Sequence, residues 1–83
     1  NIWMETVKKL DNVSKLDKKT EELAYLAVLA AIRLESGISF HTKMAKANGA
    51  TREEIISSIL VGLPAVGNQV ISDLPIALSA YDE

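Results

Sequence analysis

There is no cysteine anywhere in the 83 residues, which removes disulfide scaffolding, thiolate metal sites and any dithiol redox cycle run on the chain's own side chains. Histidine occurs once, as His41, so a zinc site is not expected, and no other metal or cofactor is expected either. Neither sign of charge dominates. Nine Lys and Arg against eleven Asp and Glu give a net charge of −2. The basic surface that a phosphate backbone needs is therefore missing, and nucleic acid is not an expected partner. Long apolar runs are absent too. The longest, "LAYLAVLAAI" from Leu23 to Ile32, has ten residues, against the roughly 20 that span a bilayer. No basic-then-apolar leader opens the chain, so a cytoplasmic protein without a membrane partner is expected. The chain starts at Asn1 and not at Met, and residues upstream are expected.

What remains is aliphatic. Hydrophobic residues make up 48% of the chain and aromatics only 5%, a mix of Ala, Leu, Ile and Val that suits closely packed helices. The length allows one small domain over residues 1–83, whose isolated core would be marginal. Ile2, Trp3, Val7 and Leu10 fall near helical spacing and predict a short first helix, which "DNVSKLD" interrupts. Asp17 is placed to cap a second helix that meets no Gly or Pro before Gly37. That helix is apolar on nearly every face from Leu23 to Ile32. A monomer's surface helix carries a polar stripe, so this one is expected to be central, partly covered by another subunit, or both.

After a short break at Glu35-Ser36-Gly37, a third helix is expected from about Ile38 to Ala47. Asn48-Gly49 ends it, as residues that tolerate a left-handed backbone. Thr51 and Glu54 have the spacing of a capping box and start a fourth helix. Its buried stripe is expected at Ile55, Ile56, Ile59, Leu60 and Leu63. Gly62, Pro64 and Gly67 bend the chain beyond it. Helical spacing resumes through Val70, Ile71, Leu74, Leu78 and Tyr81, with a kink near Asp73 because Pro75 lacks an N–H. Asp73 reads as the cap of that restart. No strand-like alternation persists, so the fold class is all-α, with the second and third helices as an antiparallel hairpin.

Three stretches carry a resemblance: "LDKKTEELAYLAVLAAIR", "ESGISFHTKMAKANGATREEI" and "SSILVGLPAVGN". From about Leu16 onward the chain resembles the carboxymuconolactone decarboxylase family, which includes alkyl hydroperoxidase D-like proteins. The redox members carry a Glu, then Cys-x-x-Cys twelve residues on, then a His four residues after the second Cys. Fixing that pattern on His41 puts the glutamate on Glu22 and the cysteines on Leu34 and Gly37. A rival register on Ser36 and Ser39 misses Glu22 and is rejected. The resemblance implies an alkyl hydroperoxidase D-like helical domain assembled as a homotrimer or homohexamer. It also implies a proton-handling pair, Glu22 and His41, without the sulfurs that reduce peroxide.

Three functions follow as expectations. The first is a decarboxylase-like protein that binds or acts on a small acidic metabolite, with His41 as acid/base and Glu22 in support. The second, peroxidase activity of the alkyl hydroperoxidase D type, is disfavoured by the missing thiols. The third is an oligomeric binding or scaffold module without catalysis. Arg33 is a candidate for holding a substrate carboxylate, since its planar fork suits that group. Trp3, Met4, Phe40 and Met44 are expected in the core or at a subunit interface. Glu22 lies about 12 residues before the turn and His41 about four after it. At about 1.5 Å per residue this argues against direct contact within one hairpin. A bent helix or a neighbouring subunit is needed to close the gap.

Overall fold

Helix boundaries in the computed structural model, which describes residues 1–83, fall where local capping chemistry puts them. Helix α1 covers Ile2–Val13; Asn1 Oδ1 caps its start by accepting from Met4 N–H, and the helix runs on through Asp11, Asn12 and Val13, which were expected to interrupt it, to end at Ser14, where the backbone turns extended. Helix α2, Lys18–Ile32, starts at the expected cap, Asp17, whose carboxylate accepts from Thr20 N–H at 2.9 Å. A 3₁₀ turn over Glu35–Gly37 leads into α3, Ile38–Ala47. That helix closes in a Schellman motif. Gly49 takes φ 99°, its N–H bonds the Lys46 carbonyl, and the Ala50 N–H bonds Ala45. Both Ala45 and Ala50 are buried, the apolar contact that accompanies this closure.

The capping box at Thr51 is complete. Thr51 Oγ1 accepts from Glu54 N–H at 3.1 Å, and Glu54 Oε1 accepts from Thr51 N–H at 2.8 Å. It starts α4, Arg52–Leu60, which buries Ile55, Ser58 and Ile59 and only half-buries Ile56 and Leu60. Leu63 belongs instead to a one-turn helix α5, Leu63–Val66. A 3₁₀ segment, Asn68–Asp73, then runs straight into α6, Leu74–Tyr81, with Pro75 in the first turn where a missing N–H costs no bond. The kink expected near Asp73 is this change of helix type.

The core lies where α2, α3, α4 and α6 meet. Leu26, Leu29, Ile38, Ile55, Ile59 and Val70 are its large buried members, each contributing about 1.5–3 kcal/mol by leaving water. Helix α2 packs on both α3 and α4, so its all-round apolar character is partly accounted for within one chain. Its outer face is not, since Tyr25, Val28 and Ile32 remain about half exposed. Helix α1 stands off the core with no buried residue. Trp3, Met4 and Phe40 are exposed and Met44 is half-buried, so none of the four fills the core of this chain. No helix is long and apolar enough to cross a membrane.

Candidate functional site

Glu22 lies on the second turn of α2 and is only 5% exposed, because Leu26 and Leu29 follow it at helical spacing and carry the same face into the core. A carboxylate taken out of water needs partners, and it has two. Oε2 lies 2.6 Å from His41 Nδ1, and Oε1 lies 3.5 Å from the Lys18 ammonium one turn earlier. Where Glu22 is ionised its carboxylate can only accept, which makes Nδ1–H the donor of this contact. The imidazole edge meets Tyr25, with ring centroids 4.5 Å apart, and Phe40 at 5.0 Å. About a quarter of the His41 side chain reaches solvent.

Direct contact within one hairpin is therefore real, against the expectation from heights alone. The connection after α2 does not turn at Ile32 but runs back along the helix. Leu34 N–H bonds the Leu29 carbonyl at 3.0 Å. A Cβ on Gly37 would lie 3.1 Å from Leu29 Cδ1 and 3.6 Å from His41 Cδ2. Helix α3 thus begins level with Leu29, and one turn on His41 is level with Tyr25. The long Glu22 side chain spans the remaining turn.

Of the two positions that match redox cysteines, Gly37 lies beside His41 and Leu34 sits half exposed on the rim. Neither offers a nucleophile. Arg33 is not brought to the site. It closes α2 in the left-handed conformation, φ 62°, makes no hydrogen bond or ion pair with Glu22 or His41, and lends its charge instead to Asp73. Asp73 is not the cap that its sequence position promised. The 3₁₀ segment gives it a helical ψ of −13°, whereas a capping side chain needs the extended region. Its side chain turns inward, 1% exposed, with neither oxygen accepting a hydrogen bond. Burial and the facing carboxyl of Glu35 push its pKa up to about 6.

Sequence reasoning missed Lys18 and Tyr25 as members of the site. Both were findable, at i−4 and i+3 from Glu22, the neighbours on one helical face. A depression of about 800 Å³ between α2 and α4 lies elsewhere and is lined by Leu23, Ala24, Ala27, Ser57 and Val61. Its charged groups are Glu53 and the ion pair Lys19–Glu54 at 3.1 Å. It holds neither His41 nor Glu22. No three His, Asp or Glu side chains converge as metal ligands would.

Glu22 and His41, the two positions that the motif register singled out, are thus hydrogen-bonded in the structure, with Gly37 beside the ring. The model of the carboxymuconolactone decarboxylase family matches residues 1–78. The chain belongs to that family. Its match reaches back through α1, beyond the Leu16 boundary read from the motifs. No curated protein and no solved structure matches the chain. Within the carboxymuconolactone decarboxylase family this is a cysteine-free chain, so a dithiol reaction at positions 34 and 37 would need a thiol from outside it.

Proposed function

We propose that this protein binds a small acidic metabolite beside His41 and moves a proton on it, in a decarboxylation or lactone reaction. The bond of 2.6 Å between Glu22 Oε2 and His41 Nδ1 carries the reading. It fixes the ring and its tautomer, leaving Nε2 as the acid/base atom. Lys18, 3.5 Å from Glu22 Oε1, keeps that carboxylate company when the ring is neutral. Tyr25 and Phe40 supply an apolar wall on which a planar substrate can rest.

The single histidine gives one imidazole signal, which makes the test direct. A panel of small carboxylic acids and lactones is screened by the NMR shift of His41, and any binder is then assayed for turnover. His41→Ala should lower turnover by about 100- to 10,000-fold, the usual share of general acid–base catalysis. Glu22→Gln, which keeps shape but not charge, should cost less. If no acid or lactone perturbs the His41 signal, or if His41→Ala turns over normally, the assignment fails.

A further inference from the structure

The hollow between α2 and α4 takes no part in the acid–base reading, and its shape and charge suit a ligand of another kind. The two helices run side by side in the same direction. Lys19 meets Glu54 at 3.1 Å where both begin, Ser58 Oγ donates to the Leu23 carbonyl further along, and Ala27 and Val61 line the far end. Thr20, Ala24 and Ala27 share a face of α2 turned away from the face of Glu22, Leu26 and Leu29. At about 1.5 Å per residue, the hollow runs about 12 Å from Lys19 to Ala27. Its volume, about 800 Å³, lies within the roughly 300–1,000 Å³ of small-molecule sites.

The two ends differ. The far end is apolar, closed by Ala27 and by Val61, which is 68% exposed. The near end is polar, and nearly all of its groups are already paired. Glu54 accepts from the Thr51 N–H with Oε1 and from Lys19 with Oε2. Thr20 Oγ1 donates to Asp17, and the Arg52 guanidinium is held by both oxygens of Asp82 at 3.0 Å. Asp17 and Thr51 cap the two helix starts. Glu53 is the exception. It is exposed, lines the hollow and belongs to no ion pair. Ser57, one turn on along the same face, sets a hydroxyl beside it. An anion finds no free cation here, and a neutral molecule leaves Glu53 unmatched.

We infer that this hollow binds a small amphiphilic amine, with its ammonium on Glu53 and its apolar body along Leu23, Ala24, Ala27 and Val61. Burial of the carbon chain drives the binding. The ion pair forms at the open mouth, where both charges keep water, so it sets which head group is accepted and adds little affinity. The site lies on the other side of α2 from Glu22 and His41, and it stands or falls separately from their acid–base role.

Three probes with one alkyl chain and different heads test it: hexylamine, hexanol and hexanoate, each titrated into the isotope-labelled full chain and followed by NMR. Hexylamine should saturate and move the amide signals of Ala24, Ala27, Glu53, Ser57 and Val61. It should bind about fivefold tighter than hexanol, the size of an exposed ion pair, with hexanoate weakest. Glu53→Gln should reduce hexylamine to the affinity of hexanol, whereas Glu5→Gln, which removes the same charge from α1, should not. Ala24→Phe, filling the hollow from an exposed position, should abolish binding of all three. Circular dichroism of each variant should match the wild type. Equal affinity for the three probes overturns the inference, as does a preference for the amine that survives Glu53→Gln. A shift at His41 in place of the hollow would put the amine at the acid–base pair and overturns it too. So does an affinity that falls as protein concentration rises, because a second copy would then occupy the hollow.

Discussion

Burial of a carboxyl without a donor sets a pH dependence that belongs to one residue. Asp73 is 1% exposed, and neither of its oxygens has a donor to accept from. Its closest acid, Glu35, satisfies it only when a proton is shared between them. The folded-state pKa is raised from 3.8 to about 6, so the protonated form is the one that folding favours. The stability it contributes is fully present below pH 3.8 and is lost as pH rises through about 6. Asp73→Asn should remove that slope. The stability of the wild type relative to the variant should fall by about 2 kcal/mol between pH 4 and pH 7. Chemical denaturation of both proteins at the two pH values measures it. A constant difference would show that Asp73 does not share its proton. The comparison is made between proteins because Asp17, Glu54 and Asp82 have lowered pKa values and lose stability as pH falls, the opposite sense.

The helices owe their ends to short-range chemistry, and their stability should answer to it one end at a time. Thr51→Ala deletes the acceptor of the Glu54 N–H and half of the capping box that starts α4. A loss of about 1 kcal/mol is expected, seen as a lower denaturation midpoint with unchanged slope. Arg33 ends α2 at φ 62°, a conformation that strains a residue with a Cβ. Arg33→Gly should relieve the strain and stabilise the chain by about 0.5–1 kcal/mol. A destabilised Arg33→Gly protein would mean that the side chain contributes more by its contacts and charge than its backbone costs.

For the molecule as a whole, the apolar residues left exposed on α1 and on the outer face of α2 bear on stability. If copies associate only when folded, the melting temperature must rise with protein concentration, as for any ligand that binds the native state. A small core makes the effect easy to see. Ten buried residues form the main cluster, and a domain of this size is marginal by itself. A melting temperature that does not move with concentration would show that the chain is stable as a monomer.

Much of this was legible in the residues because its causes are local. The Thr51 box, the Gly49 closure, the Asp17 cap and the restart at Pro75 each depend on a few neighbouring side chains, and the family register singled out Glu22 and His41. Whether those two touch was not a local question. It turned on the chain running back along α2 after Ile32, which depends on Gly37 fitting against Leu29. Asp73 was misread for the same kind of reason. Its type suits a cap, but a 3₁₀ segment packed against α2 and α4 sets its ψ and turns the carboxyl inward. Sequence by itself determined the all-helical class, the caps at Asp17 and Thr51 and the absence of any thiol, since these follow from side-chain type and spacing. Only the tertiary structure decided that Glu22 holds His41 and that Asp73 is buried, since packing sets the level at which one helix meets the next.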